Sequence, residues 1–153
     1  MYSIYREQTL PISLKEAWEF FSSPSNLSKI TPDSLGFEVT GDTPQQMYPG
    51  LFIHYRVSPI LGIPMSWTTE ITQVEHEKYF VDEQRVGPYA IWHHEHFFEE
   101  IENGVLMKDH IHYKLPFGFL GRIVHPLIVK PKLNEIFNYR FDIAEKLFSN
   151  NLK

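Results

Sequence analysis

The sequence predicts an α+β domain in which a curved antiparallel sheet of about six or seven strands wraps around one long C-terminal helix. Segments that alternate apolar and polar residues, as half-buried strands do, recur between residues 36 and 115. A stripe of apolar residues at helical spacing follows between residues 132 and 148. Two short helical patterns come directly after the first strand. A long antiparallel sheet must cover its apolar face, and only the last helix is long enough to cover it.

Composition is that of one globular domain. The chain has 153 residues, of which 42% are hydrophobic and 22% are charged, so it can bury a substantial core. We assign residues 1–148 to a single domain and residues 149–153 to a frayed tail. Aromatic residues make up 15% of the chain, which favours a β-rich fold with an aromatic-lined interior.

Charge and cysteine content argue against several kinds of partner. The net charge is −5 and no basic run is present, so we expect no nucleic-acid binding. The chain has no cysteine, which excludes disulfides and thiolate metal sites and fits a cytoplasmic location. No stretch approaches the roughly 20 apolar residues of a membrane span. No secretory signal is visible, and we expect no integral membrane association.

The first part of the chain predicts a strand and two short helices. The strand covers Ser3–Leu10. The first helix begins at the capping box Ser13–Glu16, in which each side chain accepts a hydrogen bond from the other residue's backbone. Its apolar residues have helical spacing and are Leu14, Ala17, Trp18 and Phe21. The second helix begins at Ser23-Pro24, with the serine as N-cap, and ends at Thr31-Pro32.

The middle of the chain predicts four strands. They cover Gly36–Gly41, Leu51–Ser58, Ser66–Val74 and Tyr79–Val86. Within the second of these, Leu51, Ile53, Tyr55 and Val57 share one face. We interpret the apolar loop Pro59–Pro64 either as a lid or pocket rim, or as a loop packed onto the core.

Residues 90–115 predict a central hairpin. The dipeptide Asn103-Gly104 is typical of a two-residue type I′ turn, because both central positions of that turn need a positive φ. Such a turn would place Phe98 opposite Asp109, His96 opposite Ile111, His94 opposite Tyr113 and Trp92 opposite Leu115. The other face would pair Glu99 with Lys108, Glu95 with His112 and His93 with Lys114, as a solvent-facing ladder does. We interpret the outward histidines, His93, His110 and His112, as solvated.

The inward face of this hairpin mixes apolar and polar side chains. Its apolar members are Trp92, Phe98, Val105, Met107, Ile111, Tyr113 and Leu115. His94, His96 and Asp109 lie among them. Polar groups on an otherwise apolar inner face favour a pocket over a solid core.

The C-terminal region predicts one long helix preceded by an interrupted one. The regular stripe consists of Leu133, Ile136, Phe137, Arg140, Ala144 and Leu147. Pro126 and Pro131 come before it or at its start. We expect a kink or break at both, because proline removes a helix hydrogen bond and clashes with the preceding turn.

Several motifs extend over nearly the whole chain. They are Pro24-x-x-Leu27-x-x-Ile30-Thr31-Pro32, Gly62-Ile63-Pro64-x-x-Trp67, Phe80-x-Asp82-x-Gln84-x-x-Gly87-Pro88-Tyr89-x-x-Trp92-x-His94-x-His96-x-Phe98, Asp109-x-x-x-Tyr113-x-Leu115-Pro116-x-Gly118-x-x-Gly121 and Leu133-x-x-Ile136-Phe137-x-Tyr139-Arg140. With the order of elements, they resemble the helix-grip fold of the START / Bet v 1-like (SRPBCC) superfamily. Within it the chain looks like the bacterial ligand-binding or polyketide cyclase-like branch.

The resemblance implies a cavity between the sheet and the last helix. It places Asp82 and Gln84 in the lining of this cavity. Tyr55 and Trp67 are predicted wall residues. The superfamily includes lipid and sterol carriers, hormone receptors, aromatase/cyclases and oxygenase subunits, so the fold does not choose among activities.

The polar residues of the inner face allow four interpretations. Two imidazoles and the carboxylate of Asp109 suit zinc or iron. His96 and Asp109 would also serve as the acid–base pair of a cyclase or dehydratase, because burial beside imidazoles shifts a carboxyl pKa. With Tyr113, the same residues would orient a mostly apolar ligand through a few hydrogen bonds. Finally, they would form a buried polar network that only stabilises the sheet.

We favour binding of a small hydrophobic or amphipathic molecule, without a cofactor and without catalysis. The predicted ligand-binding residues are Tyr55, Trp67, Asp82, Gln84, Trp92, His94, His96, Phe98, Asp109, Tyr113, Phe137 and Arg140. For Arg140, the alternatives are a ligand carboxylate or an ion pair with Asp82 or Asp109. The alternative functions are a cyclase-like enzyme and a protein-interaction module with a filled interior.

Overall fold

A computed structural model describes residues 1–58 and 62–149. Its strands form one curved, seven-stranded antiparallel sheet. They are β1 Tyr2–Leu10, β2 Glu38–Thr40, β3 Leu51–Val57, β4 Met65–Glu75, β5 Tyr79–Val86, β6 Ile91–Ile101 and β7 Gly104–Lys114. The order across the sheet is β1-β7-β6-β5-β4-β3-β2, so the last strand returns to pair with the first. All other neighbours are consecutive in the chain.

The helices lie after β1 and at the C-terminal end. They are α1 Leu14–Phe21, two 3-10 helices at Pro24–Ile30 and Asp33–Leu35, α2 Gly118–Val124, a π-helical turn His125–Val129 and α3 Lys130–Ser149. The predicted α+β helix-grip arrangement is therefore confirmed. In the described residues, no helix combines the length and the apolar character needed to cross a lipid bilayer.

The predicted capping box starts α1. The Glu16 backbone N–H donates to Ser13 Oγ over 3.2 Å, and the Ser13 backbone N–H donates to a Glu16 carboxylate oxygen over 3.0 Å. The buried Trp18 ring then packs edge-on against Phe98, with 5.5 Å between ring centroids. This contact fixes α1 against one end of the sheet.

Proline shapes the C-terminal helical region in two ways. Around Pro126 the helix widens into the π-helical turn, which accommodates the missing N–H without breaking the helix. Pro131 is the second residue of α3, and the residues on both sides of the π-helical turn, Val124 and Lys130, keep helical backbone angles. The helix therefore continues through both prolines, with a π-helical irregularity at Pro126. The apolar stripe of α3 is buried at Leu133, Phe137 and Ala144, whereas Leu147 is exposed.

The register of the central hairpin differs from the prediction by two residues. Ile101 pairs with Gly104, which leaves Glu102 and Asn103 in the turn. Asn103 does not have the positive φ of a type I′ turn; Gly104 has φ 142°. The observed pairs are Phe98 with Met107, His96 with Asp109, His94 with Ile111 and Trp92 with Tyr113. A shift by an even number of residues leaves every side chain on its predicted face.

Two predicted segments extend beyond the described residues. Of the loop Pro59–Pro64, residues 59–61 lie outside them, and Gly62, Ile63 and Pro64 are exposed. Of the predicted tail, Ser149 ends α3 and residues 150–153 lie outside the described residues.

Candidate functional site

A cavity of about 710 Å³ lies between the sheet and the C-terminal helices. On the sheet side its wall includes Tyr55, Trp67, Thr69, Ile71, Asp82, Trp92, His94, His96, Met107 and Asp109. On the helix side it includes Leu120, Val124, Leu133, Phe137 and Arg140. The lining is mostly apolar and aromatic, with a small polar group on the floor formed by β5, β6 and β7.

Most of the predicted binding residues line this cavity. They are Tyr55, Trp67, Asp82, Trp92, His94, His96, Asp109, Phe137 and Arg140. Each comes from an inward position of its strand or from the sheet-facing side of α3. The alternation of side chains along β3, β4, β5 and β6 is what aims them at one space.

Gln84, Phe98 and Tyr113 lie elsewhere. The Gln84 amide binds the backbone of Tyr89, donating to its carbonyl over 2.7 Å and accepting from its N–H over 3.2 Å. Phe98 is part of the core under α1. The Tyr113 hydroxyl is hydrogen-bonded to His125 Nε2 over 2.8 Å. These contacts give all three structural partners, so we leave them out of the binding set proposed below.

Asp82, His94, His96 and Asp109 form a compact cluster that we call the His–Asp tetrad. The two imidazole rings lie against each other with 3.7 Å between centroids. His94 places Nδ1 3.3 Å from Asp82 Oδ2 and Nε2 3.2 Å from Asp109 Oδ1. His96 places Nε2 2.9 Å from Asp82 Oδ2 and Nδ1 2.8 Å from Asp109 Oδ1. Both rings therefore bridge the same two carboxylates.

Two of these four contacts have hydrogen-bond geometry, those of His94 Nε2 with Asp109 and of His96 Nε2 with Asp82. Each joins an imidazole nitrogen to a carboxylate oxygen, and without a proton between them two lone pairs would face each other. These hydrogen bonds lower the cost of burying the two carboxylates.

The surroundings shift the pKa values of three members of the tetrad, His94, Asp82 and Asp109, towards their charged forms. Burial acts to lower the pKa of His94, but the charges and hydrogen bonds of Asp82 and Asp109 outweigh it, and the pKa is raised. Burial acts to raise the pKa of Asp82, but contacts with His94 and His96 hold it below its usual range. The same balance holds the pKa of Asp109 well below its usual range. The charged form of His94 and the ionised forms of Asp82 and Asp109 thus favour one another.

The same cluster would also suit a metal ion. Asp82, His94 and His96 each offer one ligand atom within 4.8 Å of the others. Metal–ligand bonds of about 2.0–2.1 Å in a tetrahedral site separate the ligand atoms by roughly 3.3 Å, close to the contacts above. Asp82, rather than the predicted Asp109, completes this set.

In the part of the chain that the structure describes, Arg140 is one of three cationic residues that line the cavity, with Arg6 and Lys132. Its guanidinium lies over the Phe137 ring, 5.5 Å from the centroid. Within the described residues it has no ion pair with Asp82 or Asp109, and its buried Nε has no hydrogen-bond partner. The predicted alternative of an internal ion pair is therefore not formed. A donor inside a mostly apolar cavity is left with unsatisfied hydrogen-bonding capacity.

Residues 118–129, comprising α2 and the π-helical turn, cover one side of the cavity, and we call them the cover segment. Leu120, Val124 and Ile128 line the cavity and are also partly exposed to solvent. His125 anchors the segment: its ring stacks on Tyr2 with 3.5 Å between centroids and bonds the Tyr113 hydroxyl. Gly121 and His125 are the buried residues of the segment, and His125 is the one that bonds a sheet side chain.

Sequence reasoning did not identify several wall residues. Thr69 and Ile71 follow Trp67 at intervals of two, so strand alternation was sufficient to include them. Tyr89 lies in the connection between β5 and β6, where no periodicity applies. The place of Asp82 opposite His94 depends on the β5–β6 register, which a connection of several residues does not determine.

No model of a known family and no curated protein matches the sequence. Solved structures do match. TTHA0849 from Thermus thermophilus is 14% identical over 99% of this chain and 100% of its own, with a TM-score of 0.73. Protein Ms6760 from Mycobacterium smegmatis is 14% identical over 97% of this chain and 92% of its own, with a TM-score of 0.69.

A third similar structure is the Bet v 1 homologue Ara h 8.0201. It is 14% identical over 94% of this chain and 97% of its own, with a TM-score of 0.61. At this identity the likeness shows the fold. The chain has the helix-grip fold of START / Bet v 1-like proteins, as its motifs predicted.

Proposed function

We propose that this protein binds one small amphipathic molecule whose acidic or hydrogen-bond-accepting head group is held by Arg140. The observation that carries the proposal is the unpartnered Nε of Arg140 inside a mostly apolar cavity. The aromatic walls take the apolar body of the molecule. Binding takes place in the cytoplasm, the location that the cysteine-free composition fits.

The size and lining of the cavity support this proposal. Pockets for small ligands measure about 300–1,000 Å³ and combine apolar walls with a few polar groups, and this cavity has a volume of about 710 Å³. Trp67 and Trp92 meet edge to face with 5.5 Å between centroids, which gives a rigid wall. A cavity of this size differs from the filled interior expected of an interaction module.

Arg140 and the tetrad would each orient a different polar group of the ligand. Arg140 offers a planar set of donors that matches a carboxylate. Asp82 and Asp109 of the tetrad each accept one hydrogen bond from a histidine, and their carboxylates offer a ligand their remaining lone pairs. A molecule with an acidic group at Arg140 and a hydroxyl group near the tetrad satisfies both.

The first experiment is native mass spectrometry of the freshly purified, untagged protein, which would reveal a retained organic molecule. The second measures displacement of the apolar dye N-phenylnaphthylamine by dodecanoic acid and by dodecanol. Because a hydrogen bond to a charged group contributes about 1.5–3 kcal/mol, we expect the acid to bind about 10- to 100-fold more tightly than the alcohol.

The matched variants are Arg140→Gln and Arg122→Gln. Arg122 lies on α2, exposed and away from the cavity lining. We expect Arg140→Gln to remove the preference for the acid and Arg122→Gln to retain it. Equal binding of acid and alcohol by the wild-type protein, or equal loss in both variants, would contradict the role of Arg140.

A second candidate is acid–base catalysis of the cyclase or dehydratase type. The observation that favours it is the 2.8 Å contact between His96 Nδ1 and Asp109 Oδ1 in the cavity wall. The Asp109→Asn variant separates the two functions. A binding protein would lose about 1–3 kcal/mol of affinity, whereas an enzyme would lose turnover with little change in substrate binding.

A further inference from the structure

The outer face of the sheet carries a second cluster of potential metal ligands, separate from the cavity. Glu95 on β6 lies directly opposite His110 on β7. His112 is two residues further along β7 and points to the same face. All three alternate with the inward residues His94, His96 and Asp109, so they point away from the tetrad. We call Glu95, His110 and His112 the outer cluster.

The ligand atoms of the outer cluster are already close together. One atom from each residue lies within 4.8 Å of the other two. His110 Nδ1 is 3.2 Å from Glu95 Oε2, and the rings of His110 and His112 have 4.2 Å between centroids. Ligand atoms around a tetrahedral ion with bonds of about 2.0–2.1 Å are roughly 3.3 Å apart. Small rotations of the side chains would reach that geometry.

A further histidine lies near the outer cluster. His93 is two residues from Glu95 on β6, and its Nε2 is 3.7 Å from Glu95 Oε1, beyond hydrogen-bond distance. The other nitrogen of His93, Nδ1, is 2.9 Å from Glu83 Oε1, and Arg85 donates to the second oxygen of Glu83 over 2.8 Å. These contacts keep the His93 ring beside the outer cluster.

From this geometry we propose that the outer cluster binds a divalent transition-metal ion, Zn²⁺ by preference. Two imidazoles and one carboxylate are a ligand set that Zn²⁺ accepts, with water in the fourth position. The side chains of Glu95 and His110 are about one-third exposed, at 29% and 37%, so the ion has direct access from solvent. The ligands project from paired strands, which are a rigid support for such a site.

The test is isothermal titration calorimetry of chelator-treated protein with ZnCl₂ in a non-coordinating buffer. The outer-cluster variants are His112→Ala and Glu95→Gln. The control is His54→Ala, since His54 lies on β3 and is hydrogen-bonded to Thr68. A second control, Asp82→Asn, removes the carboxylate of the Asp82–His94–His96 ligand set inside the cavity.

We expect the wild-type protein and both controls to bind Zn²⁺. Each outer-cluster variant should lose this binding or bind at least about tenfold more weakly. Absence of binding by the wild-type protein, or loss in Asp82→Asn with retention in His112→Ala, would overturn the proposal.

A measurement on the wild-type protein does not depend on the folding of variants. Addition of Zn²⁺ should shift the ring proton signals of His110 and His112 in NMR spectra and leave those of His54 unchanged. Shifts confined to His94 and His96 would place the metal in the cavity and overturn the outer site.

Discussion

Gly104 stands where the central hairpin meets the first strand. Its φ of 142° falls in the region that favours glycine. A Cβ at this position would lie 2.1 Å from the Leu10 carbonyl oxygen, far inside van der Waals contact. The glycine is therefore required by two conditions at once: its backbone conformation and the close approach of β1.

We expect Gly104→Ala to lower the free energy of unfolding by more than Gly41→Ala does. Gly41 also has a positive φ, 89°, but a Cβ there would meet no atom within 4 Å. The Gly41→Ala control therefore incurs only backbone strain, of order 1–3 kcal/mol. Gly104→Ala incurs such strain and, in addition, a clash with the Leu10 carbonyl. Urea denaturation of both variants measures the difference. Equal losses would show that β1 can shift to accept a side chain.

The same glycine shows why the hairpin register was predicted wrongly. Asn-Gly predicts a type I′ turn when the turn is the only constraint on the glycine. Here Leu10 of the neighbouring strand provides another reason for glycine, and the turn moves to Glu102 and Asn103. The pairing with β1 is a long-range contact, which the local sequence does not contain.

The cover segment is hydrogen-bonded to the sheet through buried His125. The His125 ring is held between the Tyr2 ring and the Tyr113 hydroxyl. Elsewhere the segment exposes large apolar side chains, including Phe119 at 73% and Leu127 at 72%. Segments with few buried contacts open at lower free energy than the domain as a whole. We therefore expect the contacts of His125 to influence how readily this segment opens.

We expect Tyr113→Phe to loosen the cover segment selectively. The substitution keeps the ring but leaves buried His125 Nε2 without its partner, which costs about 1–3 kcal/mol. Hydrogen exchange of amides in residues 118–129 should become faster, while that of β3 amides should change little. The control is Tyr48→Phe, at an exposed tyrosine. Equal acceleration throughout the sheet would show that this hydrogen bond stabilises the domain rather than the segment.

The positions of the prolines predicted where the C-terminal helix would be irregular, but not what form the irregularity would take. The sequence predicted a kink or break at Pro126, and the helix instead forms a π-helical turn. A break would release His125 from its buried contacts with Tyr2 and Tyr113. Retaining the helix keeps these contacts and accommodates the missing N–H locally.

For the domain as a whole, the sequence predicted which residues face inward more reliably than which residues are in contact with each other. Alternation along strands placed His94, His96 and Asp109 inside, and an error of two residues in register did not change that. The partnership of His94 with Asp82 required the β5–β6 register. The volume of the cavity between sheet and helix depends on the curvature of the sheet, which the hydrophobic periodicity of the sequence does not indicate.

The tetrad makes the stability of the whole domain depend on pH in a defined way. The pKa values of Asp82 and Asp109 are lowered in the folded protein from 3.8. Their contribution is therefore present above that value and is lost as the pH falls through the folded pKa values. The pKa of His94 is raised from 6.5. Its contribution is present below 6.5 and is lost as the pH rises through the folded pKa.

The contribution of His125 to stability changes with pH in the opposite direction to that of His94. Burial and the charge of Lys130 lower its pKa from 6.5, so its neutral form stabilises the folded protein above that value, and this contribution is lost as the pH falls. A profile of unfolding free energy against pH for the wild-type protein alone would combine the contributions of His94 and His125. The difference between wild type and a tetrad variant removes His125, because that residue is the same in both.

We therefore expect the difference in unfolding free energy between wild type and Asp82→Asn to be largest between about pH 4 and 6.5. There it should be roughly 1–3 kcal/mol, because the variant leaves the charged His94 ring beside a neutral amide in place of a carboxylate. The difference should shrink towards higher pH as His94 loses its proton, and towards lower pH as Asp82 of the wild type gains one. Urea denaturation at a series of pH values measures it, with the exposed Asp42→Asn as control. A difference that stays constant from about pH 4 to 9 would show that the tetrad is held by neutral hydrogen bonds rather than by charge.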